Sequence, residues 1–384
     1  MSAPTISNTH HEGVVFLALL GITLVAFAAV AGVVNRFRVW QGSLAKRMYE
    51  RGQQDLRMGA PEAAIGDFRS ALSFDHDNPG YLLSLAEGLE SEKRFDEAEA
   101  YLLRVWESQP QDGTVNLQLA RLAVHRDSPT DALRYYHNAI YGIWTSDPVQ
   151  NRINARFELV EFLLGRHAST QAQSELIAML PGLLPDSQLH AKVAALLMRV
   201  PDFQDALVQY REALRLDHNN KVAARGAGHA AFELGFYWTS LHYLEASNDK
   251  SQDAGSASMI PMARLVLATD PFLRNLSSQE RHARMLRAFD AAEQRLHGCM
   301  QQHGESPVNQ STSGPGELQD LDLRGEQIKR RLRSQSLLNS SDFAESLMDF
   351  VFTTESSTQQ ECGEPTGVDK ALLLIARNRE TAGQ

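Results

Sequence analysis

The chain has only two cysteines in 384 residues, Cys299 and Cys362, which excludes a disulfide-dense scaffold and any zinc site built on paired CxxC motifs. Positive charge is also scarce: 37 Lys and Arg stand against 47 Asp and Glu, a formal net charge of -10. Binding to nucleic acid draws on counterion release at a basic surface, so nucleic acid is not an expected partner. GxSxG, P-loop, Rossmann-type glycine and HExxH motifs are all missing. His10 and His11 adjoin in a tail, and His125, His137, His167, His190, His229 and His242 are scattered without a carboxylate at metal-ligand spacing. No catalytic residue, metal site or cofactor is therefore expected, and the chain does not read as an enzyme.

What is present begins with an apolar run. Residues 13–34 carry no charge, and 22 helical residues span roughly 33 Å, which matches a bilayer core of about 30 Å. The sequence predicts a transmembrane helix there, after a tail over 1–12. The small-x-small triplet Ala26-Phe27-Ala28 raises a cleaved signal peptide as the rival reading. Against it, no Lys or Arg precedes the run, apolar residues continue past the triplet, and the basic residues follow. Those residues, Arg36, Arg38, Lys46, Arg47 and Arg51, put the amino terminus outside and the body in the cytoplasm by the positive-inside rule; a periplasmic body is the alternative. Phe37 and Trp40 lie where an interfacial aromatic anchor is expected.

Beyond the run lies a repeat. Ala64, Ala98 and Ala132 are 34 residues apart, and after a six-residue slip Ala172, Ala206 and Ser240 repeat the step. Aligned on this ladder, six segments start at 45, 79, 113, 153, 187 and 221. Position 8 reads Gly52, Ala86, Ala120, Val160, Ala194 and Gly228; position 24 reads Phe68, Leu102, Tyr136, Leu176, Tyr210 and Leu244; position 27 reads Ala71, Val105, Ala139, Met179, Ala213 and Ser247. Small residues let two helices approach, and large ones fill the groove between neighbours. Gly59 with Pro61, Ser128 with Pro129, and Pro201 mark reversals within hairpins, and Pro110 stops a second helix.

The pattern resembles the tetratricopeptide repeat (TPR) family, whose positions 8, 20 and 27 are small and whose position 32 is often proline. The resemblance implies an all-α solenoid of about six helical hairpins over 45–250. The fourth repeat departs from it, with bulky residues at 8 and 27 and extra chain at Ser146 to Arg152, so a kink is expected there. The sixth, with Ser240 and Ser247, fits least well.

In this family positions 5 and 9 of each first helix line a concave groove. Carried onto this chain, the implied protein-binding residues are Tyr49, Gln53, Leu83, Glu87, Leu117, Arg121, Phe157, Glu161, Arg225 and His229, with Ala191 and Ala195 in the fifth repeat. Apolar anchors mixed with single charges suit a peptide or helix, and equally an ordinary mixed surface. Family members that clamp chaperone carboxyl termini use Lys, Asn and Asn where this chain has Tyr49, Gln53 and Ser84, so that partner is not implied.

Residues 251–384 lose the 34-residue phase. Linkers are expected from Asn248 to Ser258 and over 304–316. Between and after them lie amphipathic helices: Leu286, Phe289, Leu296 and Met300 behind a Ser277–Glu280 capping box; Leu318, Leu321, Ile328 and Leu332; and Phe343, Leu347, Phe350 and Val351. The apolar stretch Ala371 to Ala376 is expected to be buried. The basic run Lys329, Arg330, Arg331, Arg333 reads as a solvated helix face or as a contact to acidic lipid or nucleic acid. Cys299 and Cys362 read as a buried hydrophobe and a loop thiol, or as a disulfide if this region lies in an oxidising compartment.

The layout is similar to bacterial envelope-assembly proteins of the lipopolysaccharide-assembly type, with an amino-terminal anchor and cytoplasmic repeats. Those end in a four-cysteine metal-binding domain that two cysteines cannot build. The expectation is a membrane-anchored scaffold that binds proteins near the bilayer. The alternatives are a targeting arm for a regulatory or catalytic carboxyl-terminal domain, and an envelope chaperone facing the periplasm.

Overall fold

The computed structural model describes residues 9–247, 254–305, 315–332 and 340–382. Among these the backbone is helix and turn, with one isolated parallel bridge between Asp112 and Ile143. The chain divides into two compact units, one ending at Ala168 and the other starting at Ser169.

The first unit holds α1 (Thr9–Arg57), α2 (Pro61–Phe74), α3 (Pro79–Ser91), α4 (Phe95–Ser108), α5 (Gly113–His125), α6 (Pro129–Tyr141) and α7 (Pro148–Gly165). Helix α1 contains both the apolar run and the first helix of the first repeat, with no linker between them. Nothing at 35–44 stops a helix: there is no proline and a single glycine, Gly42. From Val15 onward α1 is long and apolar enough to cross a membrane, and its early side chains are open, Phe27 being 75% exposed. Packing takes over by Ala45, which is 0% exposed.

The ladder alanines Ala64, Ala98 and Ala132 are fully buried. Position 8 must be small because position 24 sits on it: a Cβ on Gly52 would lie 2.7 Å from the Phe68 ring. The turns within hairpins share one form. Gly59, Lys93, Asp127 and His167 all have left-handed φ, from 51° to 76°. In each case the next N–H bonds back to the helix, as in Ala60 to the Asp55 carbonyl at 2.9 Å and Arg94 to Leu89 at 2.8 Å. Arginines tie successive turns along this edge: Arg94 to Glu62 and Glu97, Arg126 to Glu99 and Asp96, and Arg166 to Asp127. At the opposite edge the chain passes from one hairpin to the next. There the segment that leads into the extra residues is tethered: Ile143 donates to Gln111 O (2.7 Å) and accepts from Gly113 N (2.8 Å). The Trp144 indole donates to Ala139 O at 2.9 Å and covers Gly113 so closely that no Cβ fits there.

The second unit holds α8 (Ser169–Met179), α9 (Ser187–Arg199), α10 (Phe203–Leu216), α11 (Lys221–Glu233) and α12 (Tyr237–Ser247), followed by α13 (Ala254–Thr269), α14 (Ser278–Glu305), α15 (Pro315–Leu332), α16 (Ser341–Cys362) and α17 (Gly367–Ala382). Gly228 meets Leu244 as Gly52 meets Phe68. Tyr237 and Leu241 of the sixth repeat share one core with Ala263, Val266, Phe289, Leu372 and Ile375. Asn378 of α17 donates to Gly235 O at 3.1 Å, in the turn of that hairpin. The carboxyl-terminal helices thus pack onto the last repeat as a cap.

Of the expected linkers, 248–253 and 306–314 lie outside the described residues, whereas Ala254 to Ser258 already belongs to α13, Gly304 and Glu305 to α14, and Pro315 and Gly316 to α15. The first half of the capping box forms, with Glu280 N donating to Ser277 Oγ at 3.2 Å; the Glu280 carboxylate pairs with Arg284 and Arg287. In the basic run, Lys329 pairs with Glu293 and Glu326 and Arg331 lies over the Phe343 ring, while Arg333 is outside the described residues.

Candidate protein-binding face

Neighbouring first helices of the first unit bring positions 5 and 9 of one repeat beside position 6 of the next. Tyr49 is the centre of the first such cluster. Its ring lies 4.8 Å from Tyr81 and 5.8 Å from Phe68, and its hydroxyl accepts from Gln53 Nε2 (2.6 Å) and Ser84 Oγ (3.4 Å). The three residues that replace the chaperone clamp therefore bind one another. Leu83 is half-buried, and Glu87, Arg121 and Glu161 are exposed.

Arg121 grips Glu158 of α7 through two hydrogen bonds, at 2.8 and 2.6 Å, a bidentate fork that fixes both side chains. Glu90, one turn beyond Glu87, is half-buried with its Oε1 unpartnered. Burial pushes its carboxyl up to about 7, against the pull of Arg121 and with a smaller push from Glu87. Leu117 and Phe157, by contrast, are 8% and 5% exposed. Both side chains belong to the packed interior of the hairpins, and the accessible part of this face is Tyr49, Gln53, Leu83, Glu87, Arg121 and Glu161.

In the second unit Arg225 and His229 are half-buried, and Ala191 is buried. His229 Nε2 lies 2.9 Å from Ser256 Oγ on α13, so the cap occupies the surface that position 9 of the sixth repeat presents. His190 is buried with its Nδ1 2.7 Å from Gln209 Oε1.

Cys299 of α14 and Cys362 at the end of α16 are joined as a disulfide, with Cα atoms 5.7 Å apart. One turn away on both helices lies a buried polar cluster. Arg295 donates from Nε to Thr358 Oγ1 and from a terminal nitrogen to Gly363 O, both at 2.8 Å, and its Nε lies 3.4 Å from the Glu355 carboxylate. Glu355 is 0% exposed, and neither of its oxygens has a hydrogen bond. Burial, reinforced by Asp369 and opposed by Arg295, pushes its carboxyl up to about 8. At neutral pH it is therefore largely protonated. No group of three or more His, Cys, Asp or Glu able to hold a metal occurs among the described residues.

Sequence reasoning missed Glu90, Glu158 and Ser256. For Glu90 and Glu158 a signal existed, because position 12 of one first helix and position 6 of the next lie on the same face as position 9. Ser256 had none, since α13 lies outside the repeat register.

No family model matches the sequence, and no curated protein does. Solved structures of helical repeat proteins do. YrrB, a TPR protein with an unusual peptide-binding site, is 16% identical, with 50% of this chain and 95% of that chain covered and a TM-score of 0.39. PilW, a widely conserved type IV pilus biogenesis factor, is 14% identical over 56% and 98%, with a TM-score of 0.39. A tetratricopeptide repeat protein from Parabacteroides merdae is 11% identical over 64% and 92%, also at 0.39. This chain is similar to them in its stacked helical hairpins. The repeat assignment itself stands on the 34-residue register and on the packing of position 24 against position 8.

Proposed function

We propose that this chain is a membrane-anchored scaffold whose first unit holds a segment of another protein close to the bilayer. The observation that carries the reading is the continuity of α1. One helix runs from the apolar span into the first hairpin, so the hairpin that bears Tyr49 and Gln53 cannot drift from the membrane on a flexible tether. The partner would use the accessible residues of the first unit: the half-open Tyr49 and Leu83 as apolar contacts, and Glu87, Arg121 and Glu161 as charged ones. The test is crosslinked recovery of partners from membranes with the full chain, compared with a variant carrying Tyr49→Ser, Leu83→Ser, Glu87→Lys and Arg121→Glu. Loss of specific partners with unchanged membrane retention supports the groove; identical recovery refutes it.

A second reading keeps the scaffold and turns the body to an oxidising compartment. The Cys299–Cys362 bridge favours it, because such bonds persist outside the reducing cytosol. The basic residues that follow the apolar span favour the cytoplasmic side. Alkaline phosphatase fused to the carboxyl terminus decides: activity selects the oxidising side, and its lack together with an active cytoplasmic reporter selects the other.

A further inference from the structure

The two edges of the first unit differ in chemistry. The edge of the turns within hairpins is a chain of ion pairs from Glu62 to Arg166. The edge of the turns between hairpins lies on the side from which α1 enters, because short turns make successive helices alternate in direction. The bridge between Gln111–Gly113 and Ile143 fixes two of those turns side by side.

That second edge carries exposed large apolar side chains in and just before the extra residues. Tyr141 is 74% exposed, Ile143 62% and Val149 45%, and all three sit on backbone that is hydrogen-bonded or helical. Three large apolar side chains thus stand open within nine residues, the Tyr141 ring with the Arg156 guanidinium 5.9 Å from its centroid, and such a concentration marks a candidate surface for contact with a partner or a membrane. Helix α1 supplies the direction in which to look. From Val15 on, its first half-buried residue is Gln41, seven residues after Val34, so packing of the hairpins begins about 10 Å beyond the hydrocarbon. The headgroup layer is itself roughly 5–7 Å deep, so the edge of turns starts within a few ångströms of it. The first of these turns, Asp75–Asp77, is acidic and engaged by Arg104, which leaves it suited to water. The 141–149 segment carries one exposed acid, Asp147, beside the aromatic and aliphatic tips of Tyr141, Ile143 and Val149, the kind of side chains that settle at a membrane interface.

We infer that Tyr141, Ile143 and Val149 form a second contact with the same bilayer that α1 crosses, so that the first unit rests on the membrane at two points. The inference rests on α1 being a membrane anchor. To test it, an environment-sensitive fluorescent amino acid is placed at Ile143, at Lys93 on the opposite edge, or at Val25 within α1. Each full chain is reconstituted into phosphatidylcholine and phosphatidylglycerol vesicles with spin-labelled lipid. The expected result is a blue shift and quenching at 143 and at 25, and neither at 93. Quenching at 25 without quenching at 143 overturns the second contact while leaving the anchor intact. A blue shift at 143 that spin-labelled lipid does not quench assigns the patch to a protein surface and also overturns it. Failure at 25 refutes the anchor and the inference together.

Discussion

Replacing Glu355 by Gln should stabilise the carboxyl-terminal cap, and by more as pH rises. In the fold this carboxyl is 0% exposed and titrates near 8, whereas in the unfolded chain it titrates near 4.5. Between those values the folded chain keeps a proton that the unfolded chain releases. Glu355 therefore favours folding most below pH 4.5, loses stability as pH climbs, and levels off above 8. One proton costs about 1.4 kcal/mol per pH unit, so wild type loses roughly 3 kcal/mol between pH 5 and 7 that the Gln variant keeps. Asp369 and Asp270 are also raised by burial and act in the same direction, so the comparison with the variant isolates Glu355. Hydrogen exchange of α14 and α16 amides in the oxidised full chain, corrected for intrinsic rates at each pH, measures the difference. A gap between the two proteins that does not change from pH 5 to 7 would refute the reasoning. It would mean that Glu355 is ionised in the fold and that water or a counter-charge reaches it.

Three further outcomes follow from named contacts. Reduction of Cys299–Cys362, which are 63 residues apart, should cost about 4 kcal/mol of cap stability by loop entropy, read as a shifted denaturation midpoint with reductant; an unshifted midpoint would show the bridge to be idle. Lys93→Gly should stabilise the first unit by about 0.5–1 kcal/mol, because Lys93 sits at φ 59° in a turn where glycine carries no Cβ penalty, and Lys93→Ala should not. Gly52→Ala should destabilise the first hairpin by about 1–3 kcal/mol through its clash with Phe68, and adding Phe68→Leu should recover part of that loss.

The hairpins were legible because a solenoid buries the same positions in every copy. The ladder alanines, Gly52 and Gly228, and the position-24 residues all appear in the packed interior where the 34-residue register puts them. The turns were only partly legible. Left-handed residues recur at 59, 93, 127, 167 and 235, yet only Gly59 and Gly235 announce themselves strongly by type; Asp127 and His167 carry a weak signal and Lys93 none. A second regularity went unread: Asn78, Asp112, Asp186 and Asn220 each accept from the N–H three residues on and cap the first helices. Continuity of α1 could have been read from the missing breakers at 35–44.

The candidate face was harder. A position within a repeat fixes the direction of a side chain, but its exposure depends on how closely the next helix lies. Tyr49 stays half-open while Leu117 and Phe157, at the same register position, are buried. The covering of His229 by Ser256 depends on α13, which no repeat predicts. The pairing of two distant cysteines likewise depends on how α14 and α16 meet, and spacing alone left it open.

The unbroken α1 also makes the first hairpin a lever. From Val34 to Arg57 the helix extends roughly 35 Å, so if α1 crosses a bilayer as proposed, a tilt of about 10° would carry its far end ~6 Å sideways. Tilting is one way in which a span longer than the local hydrocarbon thickness is accommodated. The spacing between the Tyr49 cluster and whatever it holds would then respond to the lipid environment without any change in either protein's sequence.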